Sequence, residues 1–144
     1  MKQLLFLAVG LGFARLAPAQ ALSPIGLWKN PTGDKGFTFE IFTCGDRLCG
    51  KFAAVPHDPA TGRPLTDAKN PDPTQRGRSR LGLVFIQNFT ADGENKWDKG
   101  KIYNPEDGRT YSASLTMKTP NTLELRGYIG FSLLGQTQTW TRLK

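Results

Sequence analysis

Alternating apolar and polar residues predict that most of this chain forms β-strands. In Arg109–Met117 apolar or aromatic residues alternate with Thr and Ser, which is typical of a strand with one buried face. Weaker versions of the same pattern recur along the chain, separated by Gly, Pro, Asn and Asp. Seven further strands are predicted at Gly26–Lys29, Phe37–Thr43, Leu48–Ala54, Leu81–Phe89, Trp97–Asn104, Leu123–Ile129 and Gln136–Leu143.

Short turns connect most of these predicted strands. Between Asn104 and Gly108 the chain has Pro at the first corner of a turn and Gly where a positive φ is needed. Short connections favour an up-and-down meander, and pairing of Gly26–Lys29 with Gln136–Leu143 would remove both free edges. The sequence therefore predicts an all-β fold, an eight-stranded antiparallel up-and-down barrel. A β-sandwich is the alternative.

The regular pattern stops between residues 55 and 80. Prolines and glycines interrupt this stretch and exclude a long helix, although Pro73–Gln75 is compatible with one helical turn. Loops of this length in a compact domain are commonly functional or disordered. We therefore expect residues 55–80 to form a long irregular loop at one end of the barrel.

Residues 1–21 have the features of a secretory signal peptide. Lys2 is followed by the apolar run Leu4–Phe13, and Ala19-Gln20-Ala21 is a small-residue cleavage sequence. No later stretch is long and apolar enough for a membrane helix. The prediction is a single barrel domain over residues 22–144 that is periplasmic or secreted and does not span a membrane.

The predicted mature chain is basic. Loss of Lys2 and Arg15 with the signal peptide reduces the 19 basic residues to 17, against 12 acidic ones. In an exported protein this charge favours an acidic ligand or an anionic envelope component over nucleic acid. A solubilising surface charge without a specific partner explains it equally well.

The two cysteines are predicted to form a disulfide. Cys44 and Cys49 flank a four-residue turn between two predicted strands, and disulfides persist outside the cytoplasm. With one histidine, His57, and no second cysteine pair, a metal site is less favoured. The spacing is also not the Cys-x-x-Cys of redox motifs.

The long loop and several aromatic residues are the candidate ligand contacts. Loop residues with directional donors and acceptors are Asp67, Asn70, Arg76 and Arg78. Arginine suits carboxylate and phosphate groups, but these side chains can equally hydrogen-bond one another and the loop backbone. Candidates on strands are Trp97, Tyr103, Tyr111, Arg126 and Tyr128. Their alternative role is packing in the core or covering the barrel wall.

Sequence motifs for catalysis are absent. There is no Gly-x-Ser-x-Gly, His-Glu-x-x-His or phosphate-binding glycine motif, and a nucleophile would need a base beside it. A hydrolase centred on Asp67 or His57 is the least favoured hypothesis, and no cofactor is implied.

Several motifs resemble a family of bacterial proteins known as domain of unknown function 2147. They are Gly26-x-Trp28, Asp67-x-Lys69-Asn70-Pro71-Asp72, Trp97-x-x-Gly100-x-Ile102-Tyr103-Asn104-Pro105, Arg126-Gly127-Tyr128 and Gln138-x-Trp140-x-Arg142. The resemblance covers nearly all of the predicted mature chain and implies a small exported protein with a lipocalin-like barrel. In the lipocalin pattern an early Trp packs near a late Arg and closes one barrel end. Trp28 with Arg142 would fill these positions, and Trp140 competes for the same role.

Two functional hypotheses follow. The first is an exported barrel that binds a small apolar or amphipathic molecule, with an acidic head group met by arginines of the long loop. The second is a periplasmic structural module that holds an envelope component or a protein and whose lumen is filled. The filling residues would be Phe37, Phe39, Phe52, Leu115 and Leu125. The sequence does not set the oligomeric state.

Overall fold

The chain folds into one closed antiparallel β-barrel. The computed structural model describes residues 12–17, 21–30, 36–128 and 136–144. Within these ranges eight strands pair in chain order, and the last pairs with the first. The predicted eight-stranded up-and-down barrel is confirmed. The strands are β1 Gly26–Lys29, β2 Thr38–Cys44, β3 Arg47–Ala54, β4 Val84–Ala91, β5 Lys96–Asn104, β6 Arg109–Thr119, β7 Thr122–Tyr128 and β8 Gln136–Arg142.

Closure of the barrel depends on a short seam between β1 and β8. Trp28 pairs with Arg142, and Lys29 pairs with Thr141. The amide of Leu27 also donates to the carbonyl of Lys144 at 2.8 Å. Because each terminal strand covers the edge of the other, neither presents an open hydrogen-bonding edge at this seam.

The largest difference from the predicted strand limits is at the start of β4. The strand begins at Val84 because Leu81 and Gly82 form a turn, in which Gly82 has a φ of 79°. The Gly82 amide donates to the Phe52 carbonyl at 2.8 Å, and the Phe52 amide donates to the Leu83 carbonyl at 3.1 Å. These bonds hold the end of the long loop against β3 before regular pairing with β4 starts.

Four aromatic rings pack together in the barrel interior. Phe39 of β2 stacks on Trp140 of β8 with 4.4 Å between ring centroids, and Phe52 of β3 stacks on Phe85 of β4 at 4.3 Å. The Phe39 and Phe85 rings join the two stacks at 5.3 Å. Each such pair contributes about 0.5–1.5 kcal/mol beyond its burial. The rings therefore connect β8 to β2–β4 across the interior.

The two ends of the barrel differ. The closed end is the end where β1 begins and β8 ends. There Trp28 is fully buried and lies under Arg142. The opposite end, the open end, is where β3, β5 and β7 finish, and it carries the long loop. The helical turn that the sequence allowed is present there as a 3₁₀ helix over Pro73–Gln75, capped by Asp72.

The N-terminal segment meets the barrel at Leu22. Its amide donates to Asn95 Oδ1 at 2.9 Å, and its side chain packs against the core. In the described stretch 12–17, by contrast, Phe13 and Leu16 are 89% and 96% exposed. In the ranges that the structure describes, no helix has the length and apolar character needed to cross a membrane.

Candidate functional site

Asp67 anchors the long loop to the barrel. Its carboxylate is completely buried and accepts hydrogen bonds from Tyr103 on β5 at 2.6 Å and from Asn70 at 2.8 Å. Arg78 donates to the same carboxylate through Nε at 3.1 Å and Nη2 at 2.9 Å. A buried carboxylate is stable only with such partners, so this cluster fixes the middle of the loop on β5.

The hydrogen bonds at this anchor change the acidity of both groups. Burial alone would raise the pKa of Asp67, but the bonds from Tyr103, Asn70 and Arg78 outweigh it and hold the pKa below its usual value. Burial, together with the bond to the Asp67 carboxylate, raises the pKa of Tyr103 to about 12. At neutral pH the pair is therefore a carboxylate that accepts from a neutral phenol.

The rest of the loop is also held by its own polar groups. Asn70 Oδ1 accepts from the Asp72 amide at 2.9 Å, and Arg76 Nε donates to the Asn70 carbonyl at 2.8 Å. Arg80 Nη1 donates to Glu106 at 2.6 Å, which joins the loop to the β5–β6 turn. The loop is thus an ordered structure at the open end.

The β5–β6 turn is shaped to receive this loop. Gly108 has a φ of 71°, and a Cβ there would lie 2.0 Å from the carbonyl oxygen of Lys69. Only glycine allows both this backbone conformation and this close approach. The loop and the turn therefore form one continuous rim beside β5.

The predicted loop residues are brought together by this arrangement. Asp67 and Asn70 are buried within the cluster, whereas Arg76 and Arg78 keep part of their surface exposed on the rim. The side chain of Arg78 is 40% exposed although it pairs with Asp67. Of the four, the two arginines are the ones whose side chains reach solvent.

The predicted strand residues lie in different places. Tyr111 pairs with Ile102 on the inner face, and its hydroxyl donates to Asp107 at the open end. Trp97, near the start of β5, pairs with Leu115 and packs against the core. Tyr103 lies on the opposite face of β5 from Ile102 and contacts the loop.

Arg126 and Tyr128 are the remaining strand candidates. Arg126 lies between Leu125 and Gly127 on β7, and strand alternation places it on the outer face, paired with Ser114 and Thr137. Tyr128 pairs with Ser112 at the end of β7, and its side chain lies outside the described part of the structure.

Trp28 and Arg142 meet at the closed end. The guanidinium carbon of Arg142 lies 4.3 Å from the centroid of the Trp28 ring. Its nitrogens donate to the carbonyls of Pro120 and Ile25, each at 2.7 Å, and to that of Ser23. Trp140 instead belongs to the aromatic stack described above.

A cup at the open end was not predicted from the sequence. Trp140 faces the core, so alternation along β8 turns Gln138 and Gln136 to the same inner face, where they pair with Leu125 and Gly127. Both glutamines are nevertheless exposed to solvent. An inward-facing residue can be exposed only where the interior is accessible, so the residues that the structure describes do not fill the barrel beside β7 and β8.

The glycines mark where the interior is full and where it has room. At Gly100, halfway along β5, a Cβ would lie 2.2 Å from the Phe89 ring, so that ring occupies the space. At Gly127, one residue before the end of β7, a Cβ would meet no atom of the described residues within 4 Å. We call the space bounded by Tyr111, Gly127, Gln136, Gln138 and Trp140 the open-end cup.

The predicted disulfide is confirmed. Cys44 and Cys49 are bonded across the β2–β3 turn, with 5.8 Å between their Cα atoms. Among the residues that the structure describes, there is no group of three or more His, Cys, Asp and Glu side chains arranged to hold a metal ion.

A closed eight-stranded up-and-down barrel, sealed by a Trp–Arg pair at one end and accessible at the other, is a lipocalin-like barrel. The chain belongs to the family described as "Uncharacterized protein conserved in bacteria (DUF2147)", whose model matches residues 26–142. No curated protein matches it.

A solved structure has the same fold. It is described as "Protein HP1028 from the human pathogen Helicobacter pylori belongs to the lipocalin family". The two chains are 26% identical and superpose with a TM-score of 0.74, over 85% of this chain and 84% of the other. A lipocalin-like barrel suggests binding of a small molecule rather than catalysis.

Proposed function

We propose that this protein is an exported carrier of a small apolar or amphipathic molecule, which it binds in the open-end cup. The observation that carries the proposal is the combination of Gly127, whose missing side chain leaves room, with exposed Gln138 on the inner face. Below them lies the apolar core, which Trp140 joins by stacking on Phe39. Sites for small molecules typically combine such apolar surface with a few polar groups.

The rim supports an acidic head group on the ligand. Arg76 and Arg78 are exposed at the open end, where the Asp67 cluster fixes the backbone that carries them. A carboxylate or phosphate that reaches this part of the rim would meet guanidinium groups that the loop already holds in place, which lowers the entropy cost of binding. In this proposal the loop contributes to the site by presenting these two arginines.

Export is supported by the way the chain enters the barrel. The exposed Phe13 and Leu16 contrast with Leu22, the side chain of which packs against the core. Cleavage after Ala21 would remove the exposed apolar segment without removing any part of the barrel. The Cys44–Cys49 disulfide fits an oxidising compartment outside the cytoplasm.

Native mass spectrometry of protein purified from its own host tests the proposal directly. A retained small molecule that disappears in a Gly127→Phe variant would support it. The matched control is Thr137→Phe, which adds the same ring on the outer face of β8. Absence of any bound molecule, together with no change in tryptophan emission on titration with fatty acids, would contradict it. That result would favour the second hypothesis, a structural module of the envelope.

A further inference from the structure

The inner wall of the cup carries an amide with a fixed orientation. Trp140 Nε1 lies 3.2 Å from Gln138 Oε1, two residues back along β8 on the same inner face. An indole N–H can only donate a hydrogen bond. Its partner must therefore be the amide oxygen, and this settles which way the Gln138 side chain points.

The orientation determines what Gln138 offers to a ligand. Trp140 is buried and stacked on Phe39, so its N–H direction is set by ring packing. With the amide oxygen engaged by this N–H, the hydrogens on Nε2 are the part of Gln138 that is available to donate. Gln138 is exposed although it faces inward, so these hydrogens are accessible to a molecule in the cup.

We propose that Gln138 selects ligands with a carbonyl-type oxygen at the depth of its own amide in the cup. This inference rests on the proposed function, because it assigns part of the ligand chemistry of the same cup. A ketone, ester, amide or carboxylic group accepts from Nε2, whereas an ammonium group, which only donates, cannot use Nε2 and is left with the second lone pair of Oε1, which Trp140 already shares. Trp140 acts as a positioning residue, since it holds the amide in the donating orientation.

The test uses a set of linear probes that differ only in the end group. Tryptophan emission of the purified protein is titrated with decanoate, 2-decanone and decylamine. Decanoate reports on charge as well as hydrogen bonding, and neutral 2-decanone isolates the carbonyl contribution. We expect 2-decanone to bind about 3–10 times more tightly to the wild type than to Gln138→Leu, which corresponds to one hydrogen bond.

Three further variants distinguish loss of selectivity from general damage to the barrel. In Gln138→Glu the carboxylate still accepts from Trp140 but offers no N–H, so 2-decanone affinity should fall by a similar factor. Thr139→Glu introduces the same charge on the outer face of β8 and should leave the affinity unchanged. Trp140→Phe frees the amide to rotate and should reduce the preference for 2-decanone over decylamine.

The outcomes are distinct for the two proposals. If the wild type binds none of the probes and carries no molecule from its host, the proposed function fails. If the wild type binds them but the Gln138→Leu and Gln138→Glu variants bind 2-decanone as tightly, the cup is a binding site and the role of Gln138 is overturned.

Discussion

Arg142 covers the ring of Trp28 and, at the same time, donates to backbone carbonyls on both sides of the barrel seam. Its guanidinium carbon is 4.3 Å from the ring centroid. The carbonyls of Ser23 and Ile25 belong to the chain entering β1, and that of Pro120 belongs to the β6–β7 turn. One side chain therefore joins the two ends of the barrel domain at the short seam where Trp28 pairs with Arg142 and Lys29 with Thr141.

The first prediction concerns this contact. Arg142→Lys keeps the charge but loses the planar fork that reaches several carbonyls at once. We expect the free energy of unfolding to fall by about 1–2 kcal/mol, from weaker cation–π contact and lost hydrogen bonds. Urea denaturation monitored by tryptophan emission measures it. Arg47→Lys, on an exposed residue beside Asp46, should change stability little, and equal losses in both variants would contradict the role of Arg142.

The second prediction compares two glycines inside the barrel. Gly100→Ala places a methyl group into the Phe89 ring, and overpacking of this kind costs about 1–3 kcal/mol. Gly127→Ala enters open space and has no positive φ to strain, so stability should stay within about 0.5 kcal/mol or rise. Denaturation of the two variants side by side measures both changes in the free energy of unfolding. A large loss in Gly127→Ala would show that the cup is filled.

The third prediction is the acid dependence of stability at the loop anchor. The pKa of Asp67 is lower in the folded protein than in the unfolded chain, so its contribution is present above about pH 4 and is lost as the pH falls through the folded value. Asp67→Asn should destabilise the protein at neutral pH and flatten its loss of stability in acid. Asp92→Asn, in the exposed β4–β5 turn, serves as control and should retain the wild-type acid profile.

The fourth prediction is a loss of stability at alkaline pH that comes from ionisation of Tyr103. Its pKa is raised from 10.0 to about 12, so the folded state favours the neutral phenol. The stabilisation is complete below pH 10 and is lost as the pH rises toward 12. Tyr103→Phe leaves Asp67 without one hydrogen-bond donor, which lowers the free energy of unfolding by about 1–3 kcal/mol at neutral pH. The variant also removes the part of the alkaline loss of stability that ionisation of Tyr103 causes. An alkaline profile identical to wild type would contradict the assignment.

Local sequence patterns were sufficient for the strands and for the barrel. β6 alternates from Arg109 to Met117, so its start and its buried face follow from the pattern, although the strand continues to Thr119. Closure also followed from the sequence, because strands at both ends of the domain needed a partner for their free edges. The disulfide between Cys44 and Cys49 needed only their spacing across a turn.

The long loop could be predicted from the sequence only in part. Its length and composition drew attention to Asp67, Asn70, Arg76 and Arg78, but their roles depend on contacts with distant residues. Tyr103 lies 36 positions from Asp67 in the chain, and Glu106 lies 26 positions from Arg80. No periodic signal encodes such pairs, so the sequence suggested the residues and folding decided that they bind one another.

Sequence alone determined the order of the strands and the turns between them, because these depend on residues adjacent in the chain, and it indicated closure because both terminal strands had a free edge. Tertiary structure alone decided where the interior is filled and where it is open. Both Gln and Thr are polar, so alternation in β8 does not reveal that Gln138 faces inward until Trp140 is packed on Phe39. Among the described residues, aromatic rings from β2–β4 and β8 occupy the middle of the barrel, while Gly127 contributes no side chain nearer the open end.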